Sequence, residues 1–458
     1  MDNILWKKVE AYNFDFPISE YGFSTRLAYE NNWTINYTQK AILEYKKFMF
    51  LAATSSVMVS PSAIVDIVWH QHLIFTQLYN KFCDVLGKRI EHIPSTHNRA
   101  EKEKFAQAKE STRVLYEGFF GKQPEEFWNY DNLSDIFLLD KSKYDFNQYL
   151  QFSIGIFILL FLPFCYIIRP VYLAINNPFF VIGYIGIIIF SLLFLYQYNQ
   201  NFLNNFYSKL SFNTVIKSLT AMELIYMKAG KLDNVIHGYV NQLIVDEFVS
   251  ISADKKVNNL KNKEECNPFE KVIMDELKSH KNIQYSYILN KMRMKPVFIQ
   301  IKNSANHIDR VILNSKQFSK LLVLNYAVIF TLFLIGCSRM AIGFQRGKPI
   351  FLLVLISVFL IFISFIFLRS LKGKFTTAII PEIYNKLVKS SVVKNDFGSW
   401  EWQYFLLGSI YLGSSFAPII INNNNNNNSS NGDSSSSSSC GCSCGSSCGS
   451  SCGGCGGD

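Results

Sequence analysis

The sequence predicts a mainly α-helical integral membrane protein. It has a soluble α-helical N-terminal domain, two transmembrane hairpins, a small helical (winged-helix-like) middle domain and a disordered tail. Two apolar runs fill Phe152–Tyr198, and neither contains Asp, Glu, Lys or Arg. A second pair, Leu321–Cys337 and Ile350–Leu368, is equally free of charge. Each run is near the roughly 20 residues that cross about 30 Å of hydrocarbon. The third observation is the placement of basic residues. The 458-residue chain carries a formal charge of +10. The excess lies mainly in Asn199–Lys320 and just after Leu368, beside the spans, as the positive-inside rule describes.

These features divide the chain into six parts: a soluble helical domain over 1–150, a transmembrane hairpin over 151–198, and a middle domain over 199–320. A second hairpin covers 321–370, a juxtamembrane segment 371–421, and an Asn/Ser/Gly/Cys-rich tail 422–458. The opening stretch MDNILWKKVEAYNF has no apolar h-region and no cleavage site, so the first span is expected to act as its own insertion signal. An N-terminus on the cytosolic side then puts both large segments in the cytosol. The turn Arg169–Asn177 carries one charge and suits the outside. The turn Ser338–Pro349 carries Arg339, Arg346 and Lys348, which counts against this orientation.

In the first domain, Thr38–Leu51 has helical spacing, with Ile42, Tyr45, Phe48 and Met49 on one face. Ser60 and Pro61 read as the cap and first turn of the next helix, which runs to about Leu86 and stops at Gly87. A third helix, about Arg99–Gly118, has Phe105, Ala108, Val114 and Leu115 available to pack. The second helix holds Asp66, Trp69, His70 and His72, then Thr76, Tyr79, Phe82 and Cys83. With Tyr45, Gly87, His92, Pro94, Thr112, Tyr116, Phe120 and Trp128, this set resembles the N-terminal domain of the glycine-rich domain-containing proteins of plants and microbes. The resemblance covers about 35–130 and implies no catalytic role.

Two histidines that bind one ion from a helix stand three or four positions apart. His70 and His72 stand two apart, roughly 200° around the helix. His72 falls on the apolar face with Val65, Val68, Phe75 and Tyr79, where a structural role is expected. His70 falls on the face of Asp66, where a carboxylate–imidazole hydrogen bond can form. A zinc site would need three or four convergent ligands, and His70 or His72 with His92 and Asp66 are the candidates.

Between the hairpins, residues 220–251 read as helix, glycine turn, helix and a short β excursion (Phe248–Ile251, Val257–Leu260). Asn267 then caps a helix that opens at Pro268. Glu223-Leu224, Tyr226, Ala229-Gly230 and Asn267–Val272, with Gly336, Ile342-Gly343 and Arg346–Pro349, resemble a bacterial family of membrane proteins with a glycine- and cysteine-rich C-terminus. That resemblance covers about 150 to the end and implies no substrate. Nucleic acid is not expected as a partner. The second helix of the pair carries one Lys against Asp233, Asp246 and Glu247, whereas a recognition helix is basic and amide-rich.

Phe405–Ile421 is apolar, short and glycine-rich. It reads as a segment that lies in the interface or packs on the bundle, with a fifth span as the alternative. No apolar residue follows Ile421, so the tail has no means of forming a core. Six of the ten cysteines stand there: Cys440, Cys442, Cys444, Cys448, Cys452 and Cys455. Their Gly/Ser spacers let thiolates converge on Zn²⁺ or Cu(I), with S-acylation, disulfides or plain low complexity as rivals. The chain has no phosphate-binding Gly-rich loop, no His-Glu-x-x-His and no nucleophile elbow. The spans hold no ionisable group of the kind ion-coupled transport needs, and Asn325, Ser153, Ser191 and Ser364 read as interhelical glue. The expectation is a multi-pass membrane protein acting as an interaction or scaffold module on lipid and protein partners. The alternative is a metal-handling protein or membrane-bound enzyme that uses the histidine motif or the cysteine tail.

Overall fold

A backbone that crosses hydrocarbon must satisfy its own N–H and C=O groups, so long apolar runs become helices. The computed structural model describes residues 3–93, 99–144, 146–252, 254–280, 282–389, 398–413 and 416, and the expected cysteine tail lies outside them. The first module is α1 (Asn3–Ala11), α2 (Phe23–Asn31), α3 (Ile35–Thr54), α4 (Ala63–Ile74), α5 (Thr76–Leu86), α6 (Arg99–Phe120) and the short α7 (Glu125–Trp128). Thr34 caps α3 by accepting from Tyr37 N. The buried face of α3 holds Ile42, Tyr45, Phe48 and Met49, as its spacing predicts.

Three expectations are corrected here. The cap of α4 is Ser62, whose hydroxyl accepts from Val65 N. Ser60 stands two residues before that cap, its backbone held on α6, where Thr112 Oγ1 accepts from its N–H at 2.8 Å and donates to its carbonyl at 3.0 Å. The single helix expected to Leu86 breaks at Phe75 (φ −86, ψ 62). The break re-aims α5 so that Tyr79, Phe82, Cys83 and Leu86 are buried. On α6, Ala108 is buried and Leu115 packs on the core as expected, Val114 is exposed, and Thr112 and Tyr116 join the buried face.

The first apolar pair forms α8 (Phe146–Ala174) and α9 (Asn177–Leu210). Helix α8 runs through Arg169 and Pro170, so the turn is only Ile175 and Asn176, shorter than the sequence suggests. The middle module follows as α10 (Thr214–Lys217), α11 (Ala221–Ala229), α12 (Leu232–Val245), β1 (Val249–Ile251), β2 (Lys256–Asn259), α13 (Pro268–Ser279), β3 (Ile283–Gln284), α14 (Tyr285–Met292) and α15 (Pro296–Leu313). Both capping boxes, Thr220 with Glu223 and Asn267 with Glu270, are formed. The sheet is antiparallel in order β1-β2-β3, with Ile251 opposite Val257 and Val257 opposite Ile283.

The second pair is α16 (Lys316–Gln345) and α17 (Phe351–Gly373). Helix α16 is the centre of the membrane bundle, packed on α8, α9 and α17. Outward faces carry exposed Ile158, Leu162, Phe190, Phe359 and Phe365, the surface that lipid solvates. Lipid supplies no hydrophobic drive between helices, so polar and close contacts hold the inside. Asn199 and Asn325 exchange amide hydrogen bonds at 2.9 Å each way. Tyr184 Oη donates to Leu332 O at 2.9 Å. A Cβ on Gly336 would collide with that same Tyr184 hydroxyl.

Arg339 corrects a further expectation. It is no loop charge but a buried residue of α16. Its guanidinium donates to Tyr172 O, to Ile175 O (2.8 Å) and to Asn177 Oδ1 (3.0 Å). The last carbonyls of a helix lack intrahelical partners, and Arg339 supplies them for α8. It also lies over the rings of Tyr172 and Phe180, 5.3 and 4.8 Å from their centroids.

Beyond α17, a π-helical turn (Lys374–Ala378) leads into α18 (Ile379–Lys389), and α19 (Trp400–Leu407) follows. Of Phe405–Ile421, expected in the interface or on the bundle, the described part, 405–413 and 416, and the preceding Tyr404 pack on the middle module. Tyr404 Oη donates to Asn234 O at 2.9 Å, and Gly413 N donates to Asn241 Oδ1 at 2.9 Å. Tyr404 lies where a Cβ on Gly238 would be. The first and middle modules share one continuous buried core from Val9 to Phe416. Helix α2 lies on α15, Ile35 N donates to Glu223 Oε1 at 2.9 Å, and Asn36 Nδ2 donates to Ser218 O at 2.6 Å. The four membrane helices therefore carry a single body.

Candidate metal centre

Asp66 and His70 stand one turn apart on α4, the spacing at which side chains meet. Their contact is Asp66 Oδ2 to His70 Nε2 at 3.3 Å. The third member comes from the loop after α5. Gly87 takes the left-handed conformation (φ 72) that ends α5, a backbone state favourable to glycine. The chain then returns over α4, where Tyr79 Oη donates to Ile90 O and Trp69 Nε1 donates to Tyr79 Oη at 3.3 Å. The Trp69 and His92 rings meet in a T-shaped arrangement at a centroid distance of 4.6 Å. This clamp sets His92 Nε2 2.9 Å from Asp66 Oδ1.

The result is a cluster of one carboxylate and two imidazoles whose ligand atoms all lie within 4.8 Å of one another. His70 meets Asp66 through Oδ2 at 3.3 Å and His92 meets it through the other oxygen, Oδ1, at 2.9 Å, so the carboxylate lies between the two imidazoles. Asp66 contributes the only carboxylate of the three, and the imidazoles bind metal when neutral. The His70 side chain is 51% exposed, His92 16% and Asp66 33%, so an ion here reaches solvent on the His70 side. Three protein ligands leave a fourth position for water or another donor.

His72 stands apart from this cluster. It is fully buried, with Nδ1 2.8 Å from Tyr45 Oη and its ring among Phe14, Phe23, Tyr79 and Phe82. Its Nε2 faces the backbone near Leu78 without an aligned hydrogen bond. Burial pushes its pKa down to about 3, so the ring is neutral and structural. The six tail cysteines fall outside the described residues. Sequence spacing did not point to Tyr79 and Trp69 as the supports of His92. Their role depends on a loop closure that helical periodicity does not report.

Residues 12–140 match a family described as UCP032817-like. The match covers less than a third of the chain and includes Asp66, His70, His92 and the Tyr79–Trp69 clamp. No curated protein and no solved structure matches the chain.

Proposed function

We propose that this is a membrane-anchored interaction protein whose N-terminal module holds a divalent transition-metal ion, zinc foremost, on Asp66, His70 and His92. The convergence of these three groups, drawn from a helix and a clamped loop, carries the reading. Two nitrogens and one oxygen suit Zn²⁺. The ion would tie the loop after Gly87 to α4 and so fix the surface around exposed Ile74 and Ile93, a surface for protein partners. The likeness to the glycine-rich domain-containing proteins belongs to the same proposal. A second reading, a Lewis-acid centre of a membrane-bound enzyme, is favoured by the open fourth position alone.

We place the body on the cytosolic side. Lys209, Lys316, Lys320, Arg369 and Lys372 stand at the body-side ends of α9, α16 and α17, with Lys217 and Lys374 just beyond α9 and α17, and Arg339 is withdrawn from the opposite turn by its carbonyl partners. Both support the positive-inside orientation.

The test is metal content of the purified full chain with the six tail cysteines changed to serine, which removes competing thiolates. The expected result is about one zinc per chain, lost in Asp66→Ala and His92→Ala while the helical circular dichroism is unchanged. Zinc that survives His92→Ala, or none at micromolar free zinc, contradicts the proposal.

A further inference from the structure

We infer a seat for an anionic phospholipid on the lipid-facing flank where the end of α17 meets α9. Two exposed apolar columns lead to it. On α17, Ile366 is exposed, and Ser370 and Lys374 follow it at i+4 and i+8, on the same side of the helix. Phe359, two turns below Ile366, extends the column and is also exposed. On α9, exposed Ile185, Ile189 and Tyr196 share a face at i, i+4 and i+11. The columns converge at the body side through the π-helical turn. There Phe375 is buried against Phe206 of α9 and Phe318 of α16, with ring centroids 5.5 and 4.7 Å away. Lys374, beside it, lays its Nζ 5.2 Å from the centre of the Tyr196 ring.

Depth, charge and shape each narrow the occupant. Tyr196 stands two residues before the end of the charge-free run at Tyr198, the depth at which Tyr and Lys side chains meet headgroups. Residues 146–222 and 310–381 contain no Asp or Glu. Of the acids that border them, Asp140 pairs with Lys316 and Glu382 with Lys386, each at 3.3 Å. The ammonium of a zwitterionic head therefore meets no carboxylate on these helices. The Tyr196 face that could receive it by a cation–π contact already carries Lys374. A phosphate with no ammonium of its own matches what the flank offers: the Lys374 ammonium, with the exposed Ser370 hydroxyl as a donor below it. Arg369, exposed on the adjoining side of α17, adds positive charge to the same leaflet surface. A soluble phosphate ester would meet Lys374 alone, whereas a phospholipid also lays its chains along both columns.

Native mass spectrometry of the full chain, released from micelles that carry phosphatidylglycerol and phosphatidylcholine in equal amounts, tests the seat. Phosphatidylglycerol should be retained roughly fivefold over phosphatidylcholine, the preference one cation at the surface confers. Lys374→Gln should bring the two lipids to parity, and Lys374→Arg should keep the preference. Ser370 is exposed, so Ser370→Asp keeps the fold, and the acid it places beside Lys374 should also abolish the preference. Equal retention of the two lipids by the unaltered chain overturns the seat, as does a preference that falls as far in Lys374→Arg as in Lys374→Gln. An equal fall on changing Arg346 and Lys348 to Gln at the opposite turn would mark diffuse attraction and overturn it too. Displacement by sn-glycerol 3-phosphate at the concentration where phosphatidylglycerol itself competes overturns the choice of lipid over a soluble phosphate.

Discussion

Tyr79 is the residue on which the proposed metal cluster turns, although it contributes no ligand. It holds the Ile90 carbonyl and accepts from Trp69, and so keeps His92 beside Asp66. Outer partners of metal ligands are typically worth 10–100-fold in affinity. Tyr79→Phe should therefore weaken zinc binding by roughly that factor with the chain still folded, as zinc-competition titration and circular dichroism would show. His72 makes the opposite point. Its pKa is pushed down to about 3 by burial, against about 6.5 in an unfolded chain. Between those values the unfolded chain binds the extra proton and the folded one does not. Stability therefore falls as pH drops through about 6.5 toward 3 and is fully present above that window. Replacing His72 with Phe should flatten this acid limb of a melting-temperature profile, and an unchanged slope would show that His72 does not govern it.

At the scale of elements, local pattern was the legible part. The apolar faces of α3 and α4, the stop at Gly87 and the cap Asn267 all follow from period and residue type. The cluster was half legible, because the spacing of Asp66 and His70 is written along α4 while the arrival of His92 is not. The span ends were misread for a physical reason. A charge-free window stops at Arg339, whereas the helix continues because the guanidinium finds the carbonyls that end α8. Arg339→Gln should leave buried acceptors unpaired and cost about 1–3 kcal/mol, lowering the thermal midpoint of the detergent-solubilised protein. Arg339→Lys should not restore it, since a single ammonium lacks the planar fork that meets three acceptors. The amide pair in the same bundle behaves differently. Asn325→Leu orphans Asn199 and should be destabilising by about 1–2 kcal/mol. Changing both to Leu should recover much of that loss, and a double mutant worse than either single one would argue against the pairing.

The whole molecule is a membrane bundle carrying one body, not a string of separate domains. Composition marked where the spans lie, though not their ends, and it has no signal for one module lying on another. The contacts that join them, Ile35 to Glu223 and Asn36 to Ser218, lie far apart in sequence and repeat no local pattern. They also bear on how orientation can be tested. The Asn36 side-chain nitrogen is engaged by Ser218 O, and Thr34 and Thr38 are buried, so of Asn32-Trp-Thr, Asn36-Tyr-Thr and Asn132-Leu-Ser only the last, with Asn132 exposed, stands open in the folded chain. Cysteine accessibility is more direct. In sealed vesicles of known orientation, with the tail cysteines changed to serine, a membrane-impermeant maleimide would be applied to Glu117→Cys, Lys261→Cys and Lys348→Cys, one per chain. These report the first module, the middle module and the turn between α16 and α17. The account predicts that Glu117→Cys and Lys261→Cys label from the same, cytosolic face and Lys348→Cys from the other. Labelling of Glu117→Cys and Lys261→Cys from opposite faces, or of Lys348→Cys from the face that reaches both, would contradict a single body on a four-helix anchor.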